Sequence, residues 1–412
     1  MNLEWQTWHL RQGILLTAFV VLLESSALSN SRPSPRVSLK AKLQKSYTPT
    51  DVLNFVALED LAIDNDPSGE VTSHCLVRLS KQLIHIDNQY KHEGLADTWK
   101  STLTTNCEAW RKLSTNLEAA IQTIDCTELV DVSAVVDYQI EGIKSMSVLS
   151  RILPQLANLW VPFVQALHDQ AEQIVQIGLA PHQISGLYWA FDALTLQCYG
   201  ECRVPLSLQH AHAELNLPFR VRPGCMATIP EFTLEKLVSQ VNYQVDTIRT
   251  SSNLVVRERR KTAWEGDDGV APFAYSGKSM KRNQWSSLVK ASRDRLMDVS
   301  GIYYDGCLLN LYPDGGSGMR YHSDPDQGVL WDYETAVVSL GATRRFSFRR
   351  NAVSTEQDSY QQRPHTFVLM HGDVVEMFGD CQSQFQHTVR TANEKNEDAA
   401  RASLVFKRTL PP

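Results

Sequence analysis

Cys307-Leu308-Leu309-Asn310-Leu311-Tyr312, then Pro313-Asp314-Gly315-Gly316, then Met319-Arg320-Tyr321-His322-Ser323-Asp324 decide how the second half of this 412-residue chain is read. An apolar run too short for an ordinary helix meets a cluster of turn residues, and a second extended run follows. The pattern continues from residue 305 onward and predicts strands at 305–312, 319–323, 335–341, 344–350, 365–371, 373–379, 384–390 and 401–408. Eight short strands in about a hundred residues predict a double-sheet jelly roll.

On a strand, residues i and i+2 share a face, so His322 and Asp324 can bind one metal together while His387 arrives from a later strand. Two imidazoles and a carboxylate form the facial triad of non-haem Fe(II) oxygenases, which leaves coordination positions open for a co-substrate and O2. His322, Asp324 and His387 are therefore the candidate metal-binding and catalytic residues. Arg401 would hold a carboxylate of the co-substrate.

Taken in order, the blocks 260–269, 273–277, 308–315, 322–324, 337–342 (Val337-Val338-Ser339-Leu340-Gly341-Ala342), 371–375 (His371-Gly372-Asp373-Val374-Val375), His387 and 401–407 resemble the AlkB-like 2-oxoglutarate and Fe(II)-dependent dioxygenases. The resemblance covers roughly residues 255 to 409. It implies an oxidoreductase that consumes 2-oxoglutarate and O2, demethylates alkylated DNA or RNA bases in repair, and releases succinate, CO2 and formaldehyde. It implies that His322, Asp324 and His387 ligate iron, that Arg401 pairs with the distal carboxylate of 2-oxoglutarate, and that Asn310 and Tyr312 hydrogen-bond the same molecule.

The chain departs from that family at its second closing arginine, where Lys407 stands, six positions beyond Arg401. Alternation places Lys407 on the side of Arg401 and Ser403, so all three are candidate co-substrate contacts. A lysine lacks the bidentate fork of arginine, which predicts weaker or altered co-substrate binding. The resemblance also implies an aromatic lid over a flipped base. Trp264 and Phe273 are the candidate stacking residues, with Tyr275 as a packing or polar neighbour, and plain core packing is the competing reading.

Charge gives partial support for a nucleic-acid partner. The chain holds 40 basic against 46 acidic residues, net −6, and residues 231–412 hold 23 of each. No domain is basic in bulk. Local runs do exist at Arg257, Arg259, Arg260 and Lys261, at Lys278, Lys281 and Arg282, and at Arg344, Arg345, Arg349 and Arg350. Phosphate contact or ordinary solvated charge explains them equally well.

Residues 51–240 show helical spacing, as in Trp110, Leu113, Leu117, Ala120 and Ile121. A weak self-match pairs residues 155–163 with 183–191, and stacked helix pairs or an irregular bundle would both fit it. This part is a candidate RNA- or protein-binding surface. His210, His212 and Glu214 could share a strand face, but a solvated turn before Pro218 is the preferred reading. The eight cysteines are too sparse for a disulfide scaffold, and Cys198 and Cys202 lack the second close pair of a structural zinc site.

Residues 1–50 read as an address. An apolar run from Gly13 to Leu23 precedes small residues at 25–29, and residues 30–50 carry basic and hydroxyl side chains without an acid. A signal-like segment followed by a transit-like one resembles the two-part plastid address of algae with enclosed plastids; mitochondrial import and the secretory pathway are the alternatives, with no membrane association after processing. The expected architecture is α+β: a targeting segment (1–50), an N-terminal α-helical domain (51–240) and a C-terminal double-stranded β-helix, or jelly-roll, dioxygenase domain (241–412). The alternative functions are protein side-chain hydroxylation or demethylation, and a helical RNA- or protein-binding module with an impaired oxygenase domain.

Overall fold

The computed structural model describes residue 43 and residues 48–58, 66, 68–93, 98–122, 132–196, 203–249, 253–351, 363–392 and 399–410. Apart from Leu43 and Thr48 to Thr50, the proposed address at 1–50 lies outside them, as do Cys198 and Cys202. Ser46–Pro412 form one compact unit. Among the described residues, no helix is long and apolar enough to cross a membrane.

The first part is helical. Cys107–Gln122 buries Ala109, Trp110, Leu113, Leu117, Ala120 and Ile121, a stripe at helical spacing that presses Trp110 edge-on against Trp160 at 6.0 Å. The two self-similar segments both fall largely in helices, Ala157–Asp169 and Pro181–Thr195, the second opened by a proline at its first position. His210, His212 and Glu214 sit in the helix Leu206–Glu214, not on a strand or in a turn. There the His212 ring stacks on Tyr188 at 4.1 Å.

Among the described residues fourteen strands follow: β1 (Phe219–Arg222), β2 (Thr247–Arg249), β3 (Val255–Arg257), β4 (Lys261–Gly266), β5 (Phe273–Tyr275), β6 (Lys278–Met280), β7 (Gly306–Tyr312), β8 (Met319–His322), β9 (Trp331–Gly341), β10 (Arg344–Arg350), β11 (His365–Leu369), β12 (Val374–Met377), β13 (Phe385–Val389) and β14 (Arg401–Thr409). They make a six-stranded sheet, β1-β12-β9-β14-β7-β4, and a four-stranded sheet, β11-β10-β13-β8, with every pairing between these strands antiparallel. Two further hairpins, β2-β3 and β5-β6, stand apart from both sheets. The first sheet starts at Phe219, ahead of the expected boundary at 241, because the four residues of β1 are too few to show their alternation in sequence.

Alternation divides the side chains of the larger sheet. Cys307, Leu309, Leu311, Ala402, Leu404 and Phe406 point outward into a core shared with Leu237, Leu288, Val289 and Leu296 of the helices Leu234–Gln240 and Ser287–Ser300. The second helix stops at Gly301, whose φ of 72° is a left-handed cap. Residues 308, 310, 312, 403, 405 and 407 point the other way, toward the smaller sheet. At the opposite edge the helices dock onto β11 and the neighbouring turns. Arg151 grips Asp373 with two hydrogen bonds of 3.0 and 2.6 Å, Ser185 Oγ lies 2.7 Å from His365 Nδ1, and Asn88 Oδ1 accepts from the Thr343 amide at 2.7 Å.

Candidate metal centre and co-substrate cavity

His387 on β13 is paired in register with His322, the last residue of β8, and Asp324 follows two positions later. One ligand atom from each of the three lies within 4.8 Å of the other two. Asp324 Oδ1 is 3.7 Å from His322 Nε2 and 3.6 Å from His387 Nε2. The His322 Nδ1 atom lies 2.9 Å from the Arg320 carbonyl, which can only accept. That ring nitrogen must therefore carry the proton, leaving the Nε2 lone pair for a metal. The Asp324 amide donates to Gln382 Oε1 at 2.8 Å and fixes the loop behind the carboxylate.

Electrostatics put these groups in the states a metal needs. Burial first, then the neighbouring His322, lower the His387 pKa to about 3, so the ring is neutral at physiological pH. Burial would raise the Asp324 carboxyl, but the Lys407 ammonium, bonded to it, holds it well below the usual carboxylate range. Lys407 lines the cavity, as a co-substrate contact requires, and its ammonium, 1% exposed, also donates to Asp324 Oδ2 at 2.8 Å, a partner that the spacing did not suggest. Lys407 stands opposite Gly306, so no side chain on β7 blocks its path.

A cavity of about 390 Å³ opens above these atoms. Leu308, Asn310, Tyr312, Ser403 and Val405 line it from the larger sheet, Tyr321, Phe346 and Val389 from the smaller one, and Ile248, Arg260, Tyr275 and Ser276 from the two hairpins and the loop before β4. Among the described residues no lining residue precedes Ile248, so the described helices of the first part build none of it. Arg401 lies behind Tyr312 and Ser403, fully buried, with its guanidinium 5.6 Å from the Tyr312 ring centre. Its Nη1 donates to Ser403 Oγ, while Nε and Nη2 find no partner among the described residues. Burial lowers its pKa to about 10, still far above neutrality, so the site holds a buried positive charge whose one side-chain hydrogen bond among the described residues goes to a neutral hydroxyl. Asn310 Oδ1, across the ladder at Ser403, is also unpartnered. These orphaned atoms fit a carboxylate-bearing co-substrate, and the His322, Asp324 and His387 donor set fits Fe(II).

The aromatic lid differs from expectation. Trp264 is wholly buried, donates to the Ala271 carbonyl at 3.1 Å, and packs against Phe273 and Trp331. Its ring fills the space beside Gly306, where an added Cβ would fall 2.4 Å from it, so it cannot receive a base. Phe273 borders the cavity but is only 2% exposed among Trp264, Tyr275 and Trp331. Tyr275, half-buried, is the one of the three candidate rings that lines the cavity with part of its surface exposed.

The cationic runs divide as well. Arg260 bonds Glu258 at 2.7 Å, Lys278 meets Asp246 and Glu258, and buried Arg344 reaches the Thr343 and Ala399 carbonyls. Arg257, Arg259, Lys261, Lys281, Arg349 and Arg350 are exposed. Sequence reasoning missed Glu258, whose one signal was a lone acid inside Arg257-Glu258-Arg259-Arg260.

A family model described as "2OG-Fe(II) oxygenase superfamily" matches residues 232–407. A protein of Acanthamoeba polyphaga mimivirus, R406, is 28% identical over 177 residues, covering 43% of this chain and 87% of that protein. The human "Alpha-ketoglutarate-dependent dioxygenase alkB homolog 3" is 28% identical over 184 residues, 44% of this chain and 62% of its own length. The mouse "DNA oxidative demethylase ALKBH2" is 30% identical over 158 residues, 37% of this chain and 62% of its own. The chain thus spans about three fifths of these two mammalian relatives.

Proposed function

We propose that the protein oxidatively removes alkyl groups from nucleic-acid bases through an AlkB-like domain at residues 232–407, which match the 2OG-Fe(II) oxygenase superfamily and would use Fe(II), 2-oxoglutarate and O2. The two facing sheets are read as the halves of a double-stranded β-helix, preceded by a helical domain at 51–240. The reading rests on one observation above the rest: a fully buried guanidinium, Arg401, with two unpartnered donors, in the same sandwich as the converging His322, Asp324 and His387.

His322, Asp324 and His387 would hold the metal, and Lys407 keeps the second oxygen of Asp324 occupied so that the carboxylate presents only the first. Arg401 and Ser403 would hold the distal carboxylate of 2-oxoglutarate, with Asn310 and Tyr312 beside it. When bound, Fe(II) with 2-oxoglutarate and O2 supplies a two-electron oxidation of a C–H bond, and 2-oxoglutarate leaves as succinate and CO2. An N-methyl group hydroxylated in this way sheds formaldehyde unaided, so the chain need provide no nucleophile.

Substrate access supports a base as the target. Tyr275 offers a ring at the rim, and the exposed cations on the lid side and on β10 suit a phosphate backbone. The mouse relative's name supports the same class. The test is formaldehyde release from methylated DNA, RNA and peptide pools supplied with Fe(II) and 2-oxoglutarate. Release from a nucleic-acid pool is expected; release from peptides alone would favour side-chain demethylation. We also propose that residues 1–50 direct the chain to a plastid, which a fluorescent fusion followed in an algal cell tests directly.

A further inference from the structure

Behind the rim of the cavity lies a set of charges that touches no part of the metal site. Glu258 is 7% exposed and Lys278 9% exposed, and neither lines the cavity. Glu258 accepts from the Tyr275 hydroxyl at 2.9 and 3.0 Å, from Arg260 Nε at 2.7 Å and from Lys278 Nζ at 3.3 Å. Lys278 also reaches Asp246 Oδ2 at 2.6 Å and Thr262 Oγ1. Burial would lower the Lys278 pKa, but Asp246, Tyr275 and Glu258 hold it above its ordinary value, so the ammonium stays charged. These contacts join four separate pieces: the residue before β2, the loop before β4, β4 itself, and the β5-β6 hairpin. Backbone bonds from Glu258 to Asp246 at 2.9 Å and from Arg249 to Ser276 at 3.0 Å brace the same junction.

We propose that Lys278 and Glu258 are positioning residues that tie the two hairpins into a single lid and aim Tyr275 and Arg260 at the incoming substrate. The Tyr275 hydroxyl donates to Glu258 and accepts from Lys278 Nζ at 3.4 Å, so its polar end is fixed by both residues, and the Arg260 guanidinium, 5.3 Å from that ring's centre, is held in place by the same carboxylate. The substrate half of the proposal rests on the dealkylase reading; the lid half does not.

The experiment compares wild type, Lys278→Met and Lys278→Arg, each as the full chain. Amide hydrogen exchange in β2-β3 and in β5-β6 is followed without substrate, and KM and kcat are measured on a DNA oligonucleotide carrying 1-methyladenine. Lys278→Met is expected to speed exchange in both hairpins together and to raise KM on the order of tenfold, with kcat and substrate-free succinate release little changed; Lys278→Arg restores most of both. Faster exchange in one hairpin alone, or in neither, overturns the proposal, as does a loss of succinate release equal to the loss of oligonucleotide turnover. If wild type leaves the oligonucleotide untouched, the dealkylase reading fails while the exchange result still decides the lid.

Discussion

Two buried arginines hold opposite regions of this molecule, and their surroundings differ in one respect. Arg151, where the helices meet the β sandwich, faces the fully buried carboxylate of Asp373 and bonds both of its oxygens. Arg401, inside the sandwich, donates to a serine hydroxyl, and two more of its donors have no partner among the described residues. A buried charge is expensive unless paired. The first arginine finds its carboxylate within the chain, as a structural group does, whereas the second finds none among the described residues, and on the proposed function a carboxylate of 2-oxoglutarate would complete it.

The difference predicts opposite responses to the same substitution. His387→Ala sets the outer scale: with one of three ligands gone, iron-dependent succinate release should fall to background, well beyond the ~10–100-fold cost of losing an outer-shell partner. Next in size, Arg151→Met strands Asp373 and should cost about 3–5 kcal/mol of stability in urea unfolding, with the KM for 2-oxoglutarate unmoved. Arg401→Met should do the reverse. The unliganded protein unfolds at the same or a higher urea concentration, the stabilisation conferred by 2-oxoglutarate disappears, and the KM for 2-oxoglutarate rises on the order of a hundredfold. If Arg401→Met unfolds the unliganded protein as Arg151→Met does, the two arginines are alike and the contrast is lost.

A smaller effect comes from protons at the helix boundary. Burial first, then the nearby charges of His182, Arg350 and His212, lower the His365 pKa to about 3. Between that value and the ordinary histidine range the unfolded chain binds a proton that the folded chain refuses. Stability from this group is therefore complete above about pH 6.5 and falls by about 1 kcal/mol per unit as pH drops toward 3. Urea unfolding of wild type and His365→Phe at pH 7 and pH 5 measures it; the variant should show the shallower dependence.

Most of the sandwich was legible because its signals are local. Alternation and turn residues located β7 through β14 to within a few positions. His322 and Asp324 converge with His387 even though β8 ends at His322, since the loop carries Asp324 back to the same side. Other features depend on partners far along the chain. Which inward-facing aromatic fills the core was decided by Gly306, whose missing side chain admits the Trp264 ring and leaves the rim to Tyr275. The Lys407 partner, 83 residues away, and the Arg151 partner, 222 away, have no local trace. The histidines at 210 and 212 fell in a nine-residue helix because a period of two and a period of 3.6 cannot be separated over so few positions.

The account stands most directly on whether 2-oxoglutarate chelates iron here with Arg401 as its anchor. Anaerobic titration of the Fe(II)-loaded protein with 2-oxoglutarate, followed by the metal-to-ligand charge-transfer absorption, measures this. A saturable band is predicted for wild type, shifted to much higher 2-oxoglutarate concentration in Arg401→Met and absent in His387→Ala. A folded wild-type protein that takes up Fe(II) and develops no band at any concentration of 2-oxoglutarate would contradict it.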